Sequence, residues 1–370
     1  MKIVVSGFYG LGNTGDEAIL DSVIDNLRSE LDDPDITVFS LSPAETGKKH
    51  NVHSIYRGWR HQFKAKVKAL KEADLVVSGG GGLLQDTYPT RIIFGPLPYY
   101  LLIVFLAKLV GTKVMFFSQG IGPVTTPYGK ALMKVFGNMA DYVTVRDQYS
   151  LDYLRDLGVT RPEAEVTADI VYAYQMKEDD TAYESLPLTG AEKIVGVSVR
   201  PWFEAEEYKK EMASLLDDMV QSHGVTPVFL PMEGHADKQV SEDVQNYMTH
   251  GEAAHILPET LTPNQYLQFM KHCEIVVGMR LHSLIFASLH GVPFAAVSYD
   301  KKVEALAKRF DLWDYAVSLD DFTKDALLPS VTTLYKKRST LTPHVETVRD
   351  ELKSEALRNV HVLQERFRRK

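Results

Sequence analysis

The chain has 370 residues, 45% of them hydrophobic and 24% charged, with a formal net charge of −8. That length suits two domains rather than one, and the acidic balance excludes the basic footprint of a nucleic-acid binder. The single cysteine, Cys273, excludes an internal disulfide and a cysteine-built metal centre; it falls at a predicted helix–strand junction and reads as an inert packed thiol.

A first strand is expected at Lys2–Gly7. It begins so early that no signal peptide is expected, and the chain reads as cytoplasmic. Gly10-Leu11-Gly12-Asn13-Thr14-Gly15 then matches G-x-G-x-x-G between a strand and a helix (Asp16–Leu31), the context of a dinucleotide site. Two details argue against that use. The second strand, Asp35–Ser40, runs into Ser-Leu-Ser with no acid placed for a ribose. Asp16 and Glu17 follow the loop directly, where they would repel a pyrophosphate. They suit sugar hydroxyls or a base role instead, or simply favour the first helical turn.

The next strands are expected at Asp74–Gly79, Lys113–Gln119, Tyr142–Arg146 and Glu165–Ala168, with helices at Phe63–Lys71, Tyr128–Met139 and Ser150–Leu157. Ser78-Gly79-Gly80-Gly81-Gly82, leading to Gln85-Asp86, lets the backbone approach a ligand closely but is no Walker loop, since no Gly-Lys-Ser/Thr follows. Thr144-Val145-Arg146-Asp147 delivers a cation at a strand end, where Arg146 either reaches a ligand or pairs with Asp147. Leu97–Ala107 is strongly apolar, but its 11 residues fall well short of the ~20 a bilayer span needs, so a buried helix is expected. Together with the basic run Arg366–Lys370 it leaves peripheral association with a membrane surface open.

Met176–Glu192 is polar and proline-bearing and reads as a linker. Alternation resumes with strands at Lys193–Arg200, Thr226–Pro231, Ala254–Leu257, Ile275–Arg280 and Pro293–Tyr299. Helices are expected near Ala205–Ser222, Lys238–Met248 and Gln265–His272, with a long closing helix or two shorter ones over Leu341–Lys370. The expected class is therefore α/β, with two Rossmann-like domains facing a central cleft, GT-B-like, and a C-terminal closing helix. The domains fall at 1–175 and 193–340, with a linker at 176–192 and the helix at 341–370.

The most informative stretch is Gly278-Met279-Arg280-Leu281-His282-Ser283. It sits where the buried run Ile275-Val276-Val277 ends and an apolar helix begins, the edge at which open α/β sheets bind ligands. A helix N-terminus there favours an anion; the alternative is that Arg280 pairs with an acid and His282 caps the helix. Arg200 and Lys302 follow two other predicted strands. Three edge cations and a histidine point to a small, multiply charged anion, held bidentately by arginine and by lysine as a point charge. Glu233 and His235, in Pro231-Met232-Glu233-Gly234-His235, lie at the same edge and could touch it. No HExxH helix, EF-hand loop, Cys/His spacing or GxSxG elbow is present, so neither a metal nor an organic cofactor is expected.

Taken together, the start Gly7–Glu17, SGGGGLLQD (Ser78–Asp86), SQGIGP (Ser118–Pro123), TVRD (Thr144–Asp147), SVR (Ser198–Arg200), MRLHS (Met279–Ser283) and YDKKV (Tyr299–Val303) resemble the polysaccharide pyruvyl transferases over nearly the whole chain. The resemblance is nearest to the bacterial cell-wall type, which pyruvylates N-acetylmannosamine in the secondary cell wall polymer that anchors S-layer proteins. It implies phosphoenolpyruvate as donor, bound by Arg200, by Arg280, Leu281 and His282, and by Lys302. The family often has proline where this chain has Lys301. The sugar acceptor, lipid-linked or nucleotide-linked, is expected near Asn13, Asp16, Gly81 and Arg146, and the enzyme at the inner face of the membrane. His282 is the candidate proton donor or phosphate ligand, and Asp16 the candidate base. A GT-B glycosyltransferase using a nucleotide sugar is the alternative enzyme, and a sugar- or anion-binding regulator the non-enzymatic one.

Overall fold

A computed structural model describes residues 1–58, 61–86, 95–202 and 206–367. The chain forms two compact units. The first comprises Met1–Gly12, Asp16–Gln175 and Leu352–Lys370, and the second Asn13–Gly15 and Met176–Glu351.

In the first unit the order is β1 (Lys2–Ser6), α1 (Thr14–Glu30), β2 (Asp35–Ser40), α2 (Pro43–His50), β3 (His53–Tyr56), α3 (Phe63–Glu72), β4 (Leu75–Leu84), α4 (Pro96–Leu109), β5 (Lys113–Ile121), α5 (Pro127–Phe136), β6 (Tyr142–Val145), α6 (Gln148–Asp156) and β7 (Glu163–Val166). The strands pair in parallel in the order β3-β2-β1-β4-β5-β6-β7, a doubly wound sheet that reverses direction between β1 and β4. Near-continuous apolar strands such as β1 and β5 are what a sheet covered on both faces requires. The apolar Leu97–Ala107 run lies within α4, where Leu97, Leu101, Val104 and Ala107 are buried in the core beside Val76 and Phe116. No described helix is long and apolar enough to cross a membrane.

The second unit opens with the single turn α7 (Thr181–Glu184), followed by β8 (Lys193–Ser198), α8 (Glu207–His223), β9 (Val225–Phe229), α9 (Gly234–Tyr247), β10 (His255–Ile256), α10 (Pro263–Phe269), β11 (Cys273–Gly278), α11 (Leu281–Leu289), β12 (Phe294–Ser298), α12 (Lys301–Arg309), β13 (Ala316–Ser318) and α13 (Lys324–Phe367). Its parallel strands lie in the order β10-β9-β8-β11-β12-β13, the same winding, reversing between β8 and β11. Two parallel-sheet α/β units with a C-terminal helix are thus the expected architecture.

Several bounds differ from the sequence expectation. Ala205, the expected start of α8, lies outside the described residues. Met176–Glu192 is not a free linker: Asn264 and Lys177 exchange hydrogen bonds of 3.0 and 2.8 Å, Lys271 pairs with Glu178 at 3.2 Å and Asp180 at 2.8 Å, and Tyr183 stacks on His272 with ring centroids 4.1 Å apart. The closing helix begins at Lys324, well before Leu341, and runs for 44 residues. Of the basic C-terminal run, Arg366 is committed to Glu163 and to the Tyr142 ring, 4.8 Å away, while Arg368–Lys370 lie outside the described residues.

The end of α13 is welded into the first unit by Asn359, which is fully buried. Its Oδ1 accepts from the hydroxyls of Thr144 at 2.6 Å and Thr167 at 2.9 Å, and its Nδ2 donates to the carbonyls of Ala168 and Ala356. Replacing one member of a satisfied buried set strands the others. Asn359→Leu is therefore expected to destabilise the protein by about 1–3 kcal/mol, read as a lower denaturant midpoint. An unchanged midpoint would show that the threonines fall back on the backbone carbonyls without loss.

Candidate functional site

Ligands of open α/β sheets lie where the strand order reverses, beyond the carboxyl ends of the strands. In the second unit that place is between β8 and β11. Ser198 and Gly278 pair across these strands, and Arg200 and Arg280 each follow two positions later. The sheet register therefore brings the two arginines to the reversal point together.

They are held differently. The Arg280 guanidinium meets Asp237 through Nε at 3.0 Å and Nη2 at 2.5 Å, and Glu233 at 2.5 Å. Asp237 is fully buried and also accepts from the backbone N–H groups of Met232 and Glu233. Burial alone would push the Arg280 pKa down, but the two acids outweigh it and hold the group above its usual range. Arg280 is thus first of all a structural cation, clamped by two acids.

Arg200 pairs with no carboxylate among the described residues. Its guanidinium lies 4.3 Å from the Tyr299 ring centroid and 5.8 Å from that of Trp202, between two aromatic faces that fix its place without cancelling its charge. Lys302 lies 5.5 Å from the same Tyr299 ring and 3.4 Å from Asp300, whose side chain caps α12 by accepting from the Lys302 N–H at 3.1 Å. Burial raises the Tyr299 phenol, yet Lys302, Arg200 and Arg280 together bring it below its usual value. All three expected cations therefore act on one hydroxyl. Lys301, the departure from the family pattern, pairs with Glu304 at 2.8 Å on an exposed part of α12.

His282 stands in the first turn of α11, half-buried, and Leu281 beside it is buried. The His282 ring packs on Gly15: a Cβ there would lie 2.1 Å from Nδ1, which only glycine avoids. Thr14 fixes the neighbouring backbone by donating from its N–H to the Met232 carbonyl at 2.9 Å. Gly15 is thus used for contact with a histidine, not for a pyrophosphate. Asn13, expected with the acceptor residues of the first domain, groups with the second unit and is half-buried. His235 is largely exposed, 3.9 Å from Glu259, and Glu233 serves Arg280.

In the first unit, Glu17 accepts from the Gly10 N–H at 2.8 Å, so a carboxylate already occupies the glycine loop. Burial raises the Glu17 pKa. The glycines of Ser78–Gly82 continue β4 instead of forming an open loop, and they serve close packing. A Cβ on Gly79 would lie 2.2 Å from the Phe117 carbonyl oxygen, and one on Gly80 2.0 Å from Ile19. Gly81 does face a candidate, since its Cβ position lies 3.2 Å from an Asp16 carboxylate oxygen. Two of the expected acceptor residues are therefore adjacent. Arg146 is not displayed: it is buried against Asp169 at 3.1 Å and Asp147 at 3.6 Å, with Gly120 making room for its guanidinium. The Cys273 thiol is buried and pushed up to about 12, as an inert packed thiol should be.

Sequence reasoning missed Asp237, Trp202 and Tyr299. Tyr299 was within reach, because Tyr-Asp-x-Lys ends a strand at the right edge. Asp237 lies inside the polar helix α9 and gives no local sign that it is buried.

The sequence profile of the polysaccharide pyruvyl transferases matches residues 13–301. The amylovoran biosynthesis protein AmsJ of Erwinia amylovora is 21% identical over 390 residues, covering 90% of this chain and 91% of that protein. A putative UDP-N-acetylglucosamine 2-epimerase from Listeria monocytogenes superposes with a TM-score of 0.69 at 13% identity, covering 98% of this chain and 96% of that one. Anabaena HepE in complex with UDP-glucose gives 0.65 at 13%, covering 99% and 100%. At these identities the two structures speak for the fold alone.

Proposed function

Since the chain belongs to the polysaccharide pyruvyl transferase family, we propose that it moves the three-carbon unit of phosphoenolpyruvate onto two hydroxyls of one sugar, forming a pyruvate ketal and releasing phosphate. The observation that carries the donor is that the β8–β11 register brings Arg200 and Arg280 to the reversal point of the second sheet, with Arg200 and Lys302 4.3 and 5.5 Å from the Tyr299 ring there. Phosphoenolpyruvate has a carboxylate and a phosphate, and fixed cations are what take such a molecule out of water. Arg200, which pairs with no acid among the described residues, makes the first claim on it. On Arg280 a phosphate oxygen takes the place of Glu233, while Asp237 keeps the fork aligned.

In this reading a proton goes to the methylene carbon from His282, the group in the site best suited to shuttle one near neutral pH. The C2 carbon then carries oxocarbenium character. A sugar hydroxyl adds to it and loses its proton, with Asp16 as the base. The C2–O bond to phosphate breaks, the phosphate leaving with the proton that Asp16 took up, and the second hydroxyl closes the ketal as its proton returns to His282. The cations stabilise the leaving phosphate as its charge develops. The acceptor is an N-acetylmannosamine-type residue of a cell-wall precursor, lipid-linked or nucleotide-linked, handled by an enzyme at the inner membrane face.

The direct test supplies phosphoenolpyruvate and a diphosphate-linked disaccharide. It reads phosphate release and a product mass gain of about 70 Da, the increment of a pyruvate ketal. Consumption of a nucleotide sugar instead of phosphoenolpyruvate would overturn the donor.

Tyr299 offers a finer one. Its ring positions Arg200, so Tyr299→Leu is expected to raise the KM for phosphoenolpyruvate by about 2- to 30-fold, the range of a cation–π contact, and Tyr299→Phe to restore it. Because the phenol titrates below its usual pKa, alkaline pH places an anion among the cations and should weaken donor binding. Tyr299→Phe should flatten that alkaline rise in KM. An alkaline limb unchanged in the phenylalanine variant would refute the role of the hydroxyl.

A further inference from the structure

The first unit holds a second set of cations at the equivalent point of its own sheet. Arg57 directly follows β3. Its N–H donates to the Ser40 carbonyl at 2.9 Å, and its guanidinium reaches across to the carbonyl of Gly7, just beyond β1, at 3.3 Å. The rings of Tyr99 and Tyr100, on the helix that follows β4, lie 5.0 and 5.3 Å from it. β1 and β4 are the strands between which the sheet order reverses. The guanidinium therefore occupies the place where a doubly wound sheet presents its ligand site.

The charge there is unbalanced. Arg57 is 8% exposed and Lys66 3% exposed, and neither pairs with a carboxylate among the described residues. Lys66 spends its ammonium on the carbonyls of Tyr56 at 3.1 Å, Arg57 at 3.2 Å and Gly58, locking the turn that carries Arg57. Every other buried arginine described above, Arg146 and Arg280, has an acid against it. Buried charges are ordinarily paired, because desolvation is too costly otherwise. The Tyr100 hydroxyl, 1% exposed, is turned to the Arg57 guanidinium, whose charge and hydrogen bonding oppose the upward push of burial on it. A buried donor and two unbalanced cations at a ligand edge describe a receptor for an anion.

We propose that Arg57, supported by Lys66 and Tyr100, is a second anion site that takes the phosphate borne by the sugar acceptor. The acceptor is a diphosphate of a lipid or of a nucleoside; that assignment rests on the pyruvyl-transfer reading, whereas the anion site does not. Asp16 and Arg57 both act on the buried phenol of Tyr9, which donates to the Gly79 carbonyl at 2.5 Å, two residues before Gly81, whose Cβ position lies 3.2 Å from the carboxylate assigned to the acceptor hydroxyl. The sugar is then held at one end by its charge and at the other by its hydroxyls.

The test begins with binding. Inorganic pyrophosphate is titrated into the full-length protein carrying Arg200→Gln and Lys302→Gln, which weakens the anion site of the second unit so that the site of the first is read. Adding Arg57→Gln should raise Kd by about 10- to 100-fold, the value of a charge-assisted contact, and adding Tyr100→Phe by a few-fold with the ring kept. Unchanged affinity in both overturns the site. Should Arg57→Gln fail to fold, the tyrosine variant still decides.

Turnover then separates the sources. Arg57→Gln in the otherwise native chain should raise the KM of the lipid diphosphate or of the nucleoside diphosphate acceptor, whichever is used, and leave a phosphate-free glycoside unaffected. Equal losses on the phosphate-free glycoside mean a structural arginine and refute the proposal. Arg57-dependent pyrophosphate binding in a protein that never consumes phosphoenolpyruvate would sink the reaction and leave the site standing.

Discussion

Arg280→Ala is expected to cost the protein about 3–5 kcal/mol of stability, whereas Arg200→Ala, at the equivalent register position, should cost almost none. The difference lies in what each arginine leaves behind. Removing Arg280 strands Asp237, a carboxylate with no exposed surface, with only the backbone N–H groups of Met232 and Glu233 to donate to it among the described residues. Removing Arg200 strands only two aromatic faces, Trp202 and Tyr299. The loss from Arg200→Ala should appear in binding, as a KM for phosphoenolpyruvate raised by about 10- to 150-fold, the range for hydrogen bonds to a charged group. Denaturant titration of the two variants, beside donor saturation curves, reads both effects. An Arg280→Ala protein as stable as the wild type would show that Asp237 is not an obligate partner. Destabilisation by Arg200→Ala would move Arg200 into the framework.

The second large effect is chemical. His282→Ala should lower kcat by about 10²- to 10⁴-fold, the span of a positioned acid or base, while changing donor affinity much less. The histidine is placed by two devices: the first turn of α11, and the face of Gly15, where no side chain fits beneath the ring. The alanine variant leaves that face open without burying a charge, so the fold should survive and lost turnover can be assigned to chemistry. His282→Gln, which keeps hydrogen bonding without a titratable ring, should be nearly as slow if the group moves a proton. It should recover substantially if the group only binds phosphate. Wild-type turnover in the alanine variant would end the assignment.

Much of this architecture was legible because the strands advertise themselves. Runs such as Ile194–Val197 and Ile275–Gly278 are apolar throughout, as strands covered on both faces must be. The edge cations could be read for the same reason, since a strand end fixes where its next residues go. What was not legible depends on distant partners. Glu178 and Asp180 look like solvated linker acids until Lys271 is brought to them. Arg146 looks like an edge cation until Asp169 buries it, and Asp237 looks like an ordinary polar residue of α9. The Ser78–Gly82 glycines carry the same lesson: small residues mark a close approach, and the sequence does not say whether by a ligand or by Phe117 and Ile19. The short elements α2 and β3 went unread because neither is long enough to establish a period.

The first unit is discontinuous along the chain. Its sheet is complete by Val166, yet it also owns Leu352–Lys370, and the whole of Met176–Glu351 is interposed. During synthesis the sheet emerges first and must wait for Leu352 and the residues after it, Asn359 among them, before Thr144 and Thr167 find their acceptor. The second unit, nearly continuous, can finish earlier. A nascent chain halted near Glu351 would thus carry one mature half and one half open along the face that α13 covers. Translation pauses before Leu352 should be felt first by the half whose sheet was made first.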